Sequence, residues 1–132
     1  MKKIYTNYKA EQFLRKYIPV SNSQLVFSIN EIKIKPPLVL KLISDKIIHK
    51  TEFNAIKFVH EKNELEKEFN SLLNLAKKLK VKIDGIMVQE LVKGEQLIIG
   101  IKKDPVFNHV ILFGLGGVFT EILNDISIRK CP

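Results

Sequence analysis

VILFGLGGVFTEILNDISIR, Val110 to Arg129, is the stretch on which the reading of this chain turns. Val110 to Phe113 is an unbroken apolar run of the kind that forms a buried strand. It leads straight into Gly114, Gly116 and Gly117, and then to Glu121, Asp125 and Arg129. Glycines after a strand let backbone N–H groups approach an anion closely. Carboxylates just beyond suit Mg²⁺, and an arginine suits a phosphate. The spacing matches neither G-x-x-x-x-G-K-[ST] nor G-x-G-x-x-G, so a P-loop is excluded. The pattern alone leaves two readings open: a phosphate-binding loop, or a plain strand-to-turn junction.

Working outward, the preceding residues read as strands at Gly85 to Leu91, Gln96 to Lys102 and His109 to Phe113, with Asp104-Pro105 in a turn. A last strand covers Ile126 to Lys130, and Phe119 to Asn124 is a short helix or a turn. Upstream lies the best helix. Leu65, Phe69, Leu72, Leu73, Ala76 and Leu79 form one apolar stripe at helical spacing. Asn63 is read as its N-cap, with Glu66 in capping-box position. Acids at its start and lysines at its end suit the helix dipole. Before it come a short helix over Tyr8 to Tyr17, a strand at Leu25 to Ile29 and a strand at Leu38 to Ser44 buried on both faces. A charged loop follows over Asp45 to Asn54, then a half-buried strand over Ala55 to His60. The order predicts an α+β fold with an antiparallel or mixed sheet.

The chain has 132 residues, enough for one domain with a real core. Its hydrophobic fraction of 45% is ordinary for a globular protein. No apolar run approaches the roughly 20 residues needed to cross a bilayer, and MKKIYTNYKAEQ lacks the apolar segment of a secretory signal. One cysteine, Cys131, cannot form an internal disulfide, which suits a reducing cytoplasm. The net charge of +8 is spread along the chain without aromatic interleaving, so a nucleic-acid-binding reading rests on charge alone. No His/Cys/Asp/Glu set has zinc spacing.

Two residue groups stand out in LVLKLISDKIIHKTEFNAIKFV, Leu38 to Val59. Lys41 interrupts an apolar strand, and a cation there must snorkel or reach a partner such as a phosphate. His49 and Lys50 lie in the following loop. A neutral imidazole is a nucleophile near neutral pH, and the adjacent cation would attract a phosphoryl donor. The bland alternative is a solvated loop histidine.

With the glycine-rich segment, these residues carry a family resemblance. FLRKYIPV (Phe13 to Val20), PLVLKLISDKIIHKTE (Pro37 to Glu52), DGIMVQELVKG (Asp84 to Gly94) and Ile98 to Pro132 together resemble the ATP-grasp domain of ADP-forming acyl-CoA synthetases. The likeness is to the β subunit, or to the matching domain of fused enzymes. It implies two α+β lobes holding a nucleotide, with a small lobe over about 20–82 and the start of a second over about 83–132. It implies that Lys41 contacts ATP or ADP phosphates, and that His49 carries a phosphoryl group, with Lys50 beside it. Gln89, Glu90 and Leu91 match a hinge whose backbone and acid contact adenine and ribose. Gly114, Gly116, Gly117 and Arg129 fall in the phosphate segment, and Glu121 and Asp125 in the Mg²⁺ segment. The implied partner is a CoA-binding α subunit, or a second polypeptide that completes the domain.

The chain departs from the family pattern in places. Asn54-Ala55 replaces Gly-Gly, which costs a phosphate-covering loop its freedom. Glu95-Gln96 replaces Arg-Glu. The segment between IPV and PLVLK is about ten residues shorter than the family pattern implies. The family domain also continues past the position of Pro132 with a helical region and an Asp-x-Asn segment, so the chain reads as C-terminally incomplete and inactive alone. Two function classes follow. One is the nucleotide-binding part of an ADP-forming acyl-CoA synthetase. The other is a non-catalytic ATP-grasp-derived binding or assembly module.

Overall fold

The structure is a computed structural model that describes residues 5–47, 53–116 and 126–131. The chain divides into two compact units, Met1–Val92 and Lys93–Pro132.

The first unit opens with helix α1 (Asn7–Leu14), whose N-cap Thr6 accepts the Lys9 N–H. Strand β1 (Ser23–Val26) and a 3-10 turn at Ile29–Glu31 follow. Then come β2 (Leu38–Ile43), β3 (Ile56–Val59), helix α2 (Leu65–Leu79) and β4 (Gly85–Glu90). The strands form one antiparallel sheet in the order β1-β4-β2-β3. Side chains alternate across a strand. Leu38, Leu40 and Leu42 therefore share a face with Ile86, Val88, Val26 and Val59, and they pack with Phe69, Leu72 and Ala76 of α2. Burying each such side chain contributes about 2 kcal/mol. The opposite face carries Val39, Lys41 and Ile43 of β2 beside Met87 and Gln89 of β4. Val39, Ile43 and Met87 are also buried, so β2 is covered on both faces as its apolar run predicts.

Helix α2 starts differently from the expectation. A 3-10 turn at Lys62–Glu64 precedes it, and the capping box pairs Glu61 with Glu64 rather than Asn63 with Glu66. Glu64 Oε2 accepts the His60 N–H at 2.8 Å and the Glu61 N–H at 3.1 Å. The helix ends on Lys80 at φ 52°, whose neighbour Val81 donates back to Ala76 O. Gly85 opens β4 at φ 134°, where a Cβ would lie 3.0 Å from Leu25 Cδ1.

In the second unit, β5 (Leu97–Asp104), β6 (Asn108–Leu115) and β7 (Ile126–Lys130) form an antiparallel sheet in chain order. The Asp104 carboxylate fastens the β5–β6 turn by accepting the Val106 and Phe107 N–H groups, both at 2.9 Å. Asn108 takes the left-handed conformation at φ 63°, which suits a three-residue hairpin loop. One face of this sheet presents Leu97, Ile99, Ile101, Ile111 and Phe113, all exposed.

The α+β architecture with antiparallel sheets agrees with the sequence expectation. The compact units divide between Val92 and Lys93. β4 falls in the first unit, hydrogen-bonded between β1 and β2. Phe119 to Asn124 lies outside the described residues.

Candidate functional site

The cation in β2 has a partner. Lys41 Nζ donates to Gln89 Oε1 at 2.5 Å. β2 and β4 run antiparallel with Lys41 opposite Met87, so Gln89 is the diagonal neighbour on the same face. Lys41 is half-buried among Val39, Ile43 and Met87, an apolar floor that leaves the ammonium as the polar feature of β2. A β2 cation thus meets a β4 amide because the register puts both on the face away from α2.

Gln89 is held in turn. Its Nε2 donates to Glu11 Oε2 at 2.6 Å and to Ser21 Oγ at 2.7 Å. Glu11 Oε1 accepts from Ser23 Oγ and, at 3.4 Å, from Arg15 Nη2. Arg15 also reaches Ser21 O at 2.9 Å. Sequence reasoning missed Glu11, Arg15, Ser21 and Ser23. The one available signal was the i,i+4 spacing of Glu11 and Arg15 on a short helix.

The other hinge residues are placed by backbone bonds. The Glu90 N–H donates to Asn22 O at 2.9 Å and the Leu91 N–H to Pro37 O at 3.1 Å. Proline has no N–H, so Pro37 cannot return a bond to the Leu91 carbonyl. The pleat turns Glu90 to the face opposite Gln89.

Two glycines of the expected phosphate loop are placed by the second sheet. Gly114 lies within β6, flanked by Ile98 of β5 and Ile126 of β7, and is buried. The Gly116 N–H donates to Gln96 O at 2.7 Å, and a Cβ there would sit 3.0 Å from Gln96 C. These two positions therefore serve strand pairing and close backbone approach, and the Gly116 N–H is not directed at an anion. Arg129 lies in β7 opposite Ile111 and is exposed. His49, Lys50, Gly117, Glu121 and Asp125 lie outside the described residues.

The Asn54-Ala55 departure acquires a physical reading. Asn54 adopts φ 54°, a left-handed conformation that asparagine tolerates better than most residues. Ala55 is fully buried, and its carbonyl accepts the Leu42 N–H at 2.9 Å. Asn54 thus holds a left-handed backbone of the kind that glycine adopts without strain.

Among the described residues no group of three or more His, Cys, Asp or Glu side chains could hold a metal ion. Among them, too, no helix is long and apolar enough to cross a membrane. A broad open depression lined by Ile29, Ile32, Ile34, His60 and Leu65 lies on the α2 side of the sheet and holds none of the predicted site residues.

The chain belongs to the ATP-grasp domain family, whose model matches residues 2–132. It is 41% identical over 99 residues to the ADP-forming acetate–CoA ligase I of Archaeoglobus fulgidus, covering 73% of this chain and 14% of that protein. It is 34% identical over 135 residues to the β subunit of the ADP-forming acetate–CoA ligase II of Pyrococcus furiosus, covering 95% of this chain and 57% of that subunit. Among solved structures it resembles the dinucleotide-forming acetyl-coenzyme A synthetase 1 of Candidatus Korarchaeum cryptofilum in complex with coenzyme A and Ca-AMPCP. That match has a TM-score of 0.86 and 35% identity, and covers 97% of this chain and 60% of that one. The same synthetase is known with coenzyme A and Mg-AMPPCP, its phosphohistidine segment pointing towards the nucleotide binding site, with a TM-score of 0.72, 34% identity, and coverage of 95% of this chain and 56% of that one. The chain thus spans little more than half of the relatives' ATP-grasp chains, and a smaller part of the longer ligase.

Proposed function

We propose that this chain supplies nucleotide-binding and phosphoryl-carrying residues of an ADP-forming acyl-CoA synthetase. The observation that carries the reading is the Lys41–Gln89 pair beside the buried apolar side chains of Val39, Ile43 and Met87. An ammonium held beside apolar side chains suits a ligand with anionic phosphates and an apolar base. Lys41 is assigned to the phosphates of ADP or ATP. The Leu91 carbonyl, which Pro37 cannot bond, is assigned to the exocyclic amino group of adenine.

His49 is assigned as the phosphoryl carrier, with Lys50 beside it. Its ring nitrogen would attack the phosphorus of a phosphoryl group delivered by a CoA-binding partner, and the bond to that donor would break. The ADP β-phosphate oxygen would then attack the same phosphorus, forming ATP and releasing His49 neutral. Lys41 and Arg129 would neutralise charge on the transferring oxygens. Glu121 and Asp125, as hard oxygen donors, suit Mg²⁺, which when bound would supply further charge neutralisation at the phosphates. The remainder of the fold and the CoA-binding subunit are the proposed partners. The exposed apolar face at Leu97, Ile99, Ile101 and Phe113 supports an association of that kind.

Chemical protection tests the assignment. An amine-reactive reagent is applied with and without Mg-ADP, and modification is read residue by residue by mass spectrometry. Slower modification of Lys41 than of Lys33 and Lys35 on adding nucleotide is the expected result. Equal rates at all three in saturating nucleotide would contradict the reading.

A further inference from the structure

We propose that Glu11 is a positioning residue for Lys41, acting through the side-chain amide of Gln89. The proposal rests on the nucleotide reading above for its consequence, but its geometry stands alone. A carboxylate only accepts hydrogen bonds and an ammonium only donates them. Gln89 lies between one of each. Its Nε2 faces Glu11 Oε2 at 2.6 Å and its Oε1 faces Lys41 Nζ at 2.5 Å. The flipped amide would set an N–H against the ammonium and an oxygen against the carboxylate. Both contacts would be repulsive, so Glu11 fixes which end of Gln89 meets Lys41.

The surrounding bonds hold Glu11 in that role. Ser23 and Arg15 occupy Oε1 and leave Oε2 to Gln89. Ser21 Oγ takes the second Gln89 N–H at 2.7 Å, so both amide hydrogens are used. The Glu11 side chain is 12% exposed whereas that of Arg15 is 41% exposed, so the carboxylate is the better shielded partner. Helix α1 thereby reaches the sheet face and sets the acceptor that orients the Lys41 ammonium. Charged hydrogen bonds of this kind are shorter and stronger than neutral ones, which favours a single arrangement.

The test uses the whole chain and the variants Glu11→Ala, Glu11→Gln, Arg15→Ala and Lys41→Ala. The first readout is hydrogen exchange of the Gln89 side-chain amide by NMR, which needs no nucleotide. Glu11→Ala is expected to speed that exchange, whereas Arg15→Ala leaves it near the wild-type rate. Glu11→Gln is expected to restore slow exchange in part, because its amide oxygen can face Gln89 while its NH₂ meets the Ser23 hydroxyl but opposes the Arg15 guanidinium. The second readout is Mg-ADP affinity. Glu11→Ala is expected to weaken it roughly three- to thirtyfold, and to add nothing in a Lys41→Ala background, as coupled residues do.

Unchanged Gln89 exchange in Glu11→Ala would overturn the proposal whatever the nucleotide does. So would altered exchange without altered affinity, or full additivity with Lys41→Ala. If the wild-type chain shows no Mg-ADP affinity, the nucleotide reading falls, and the exchange measurement still decides whether Glu11 orients Gln89.

Discussion

Lys41 Nζ and Gln89 Oε1 lie 2.5 Å apart across the β2–β4 ladder, joined as diagonal neighbours on the sheet face away from α2. The pair explains how a lysine can sit within an apolar strand. Its charge is met by a carbonyl-type oxygen, and its stem lies along Val39 and Ile43, so the cost of burying an unpaired charge is avoided.

The proposed base contact at the strand end carries a prediction about selectivity. Pro37 accepts the Leu91 N–H but has no N–H to return. The Leu91 carbonyl, meeting the base as proposed, would suit the amino group of adenine and oppose the carbonyl of guanine. ADP is therefore expected to bind at least tenfold more tightly than GDP, about 1.4 kcal/mol. Competition titration checks this, and equal affinity for the two nucleotides would remove the Leu91 assignment.

The core of the first unit depends on α2. Leu72 is fully buried in the cluster with Leu40, Val59 and Phe69. Leu72→Ala removes apolar burial and leaves a cavity, at a cost of about 3 kcal/mol. Urea unfolding monitored by circular dichroism is expected to show a lower midpoint with an unchanged slope. A wild-type midpoint would contradict the packing described.

The start of α2 is pH-sensitive in a defined direction. The Glu61 and His60 N–H groups bonded to Glu64 hold its carboxyl below the ordinary glutamate value. A depressed folded-state pKa gives a contribution that is present above the unfolded value and is lost as pH falls through the folded one. Glu64→Gln is expected to lower the melting temperature at neutral pH, with the difference from wild type shrinking by about pH 3. A difference that grows with acid would reverse the sign and exclude this capping arrangement.

The proposed phosphoryl-carrier role of His49 makes a separable prediction. His49→Ala is expected to abolish an acid-labile phosphate on the chain while leaving Mg-ADP affinity within about twofold. Labelled phosphate with acid and base stability assays reads the first, and calorimetry the second. Equal labelling of wild type and variant would exclude His49.

Much of the fold was readable in the residues. LVLKLI is apolar at consecutive positions, which marks a strand covered on both faces, and the stripe from Leu65 to Leu79 marks an amphipathic helix. The helix start was harder. Glu61 to Glu64 and Asn63 to Glu66 both offer a polar residue three positions before a glutamate, and tertiary context selected the earlier pair through a 3-10 turn. Lys41 was legible because a cation in an apolar strand needs a partner. Glu11 was not, because its bond to Gln89 joins residues 78 apart in sequence and no local pattern records that. Gly116 likewise looked like an anion-binding glycine, since only the β5–β6 register reveals Gln96 against it.

The most direct test of the account is calorimetric titration of the purified chain and of Lys41→Ala with Mg-ADP at moderate salt. The account predicts micromolar binding by the wild-type chain, weakened at least tenfold in the variant, which is about 1.4 kcal/mol or more. Binding of equal strength in both, or no binding to the wild-type chain at millimolar nucleotide, would contradict the assignment of this sheet face to a nucleotide.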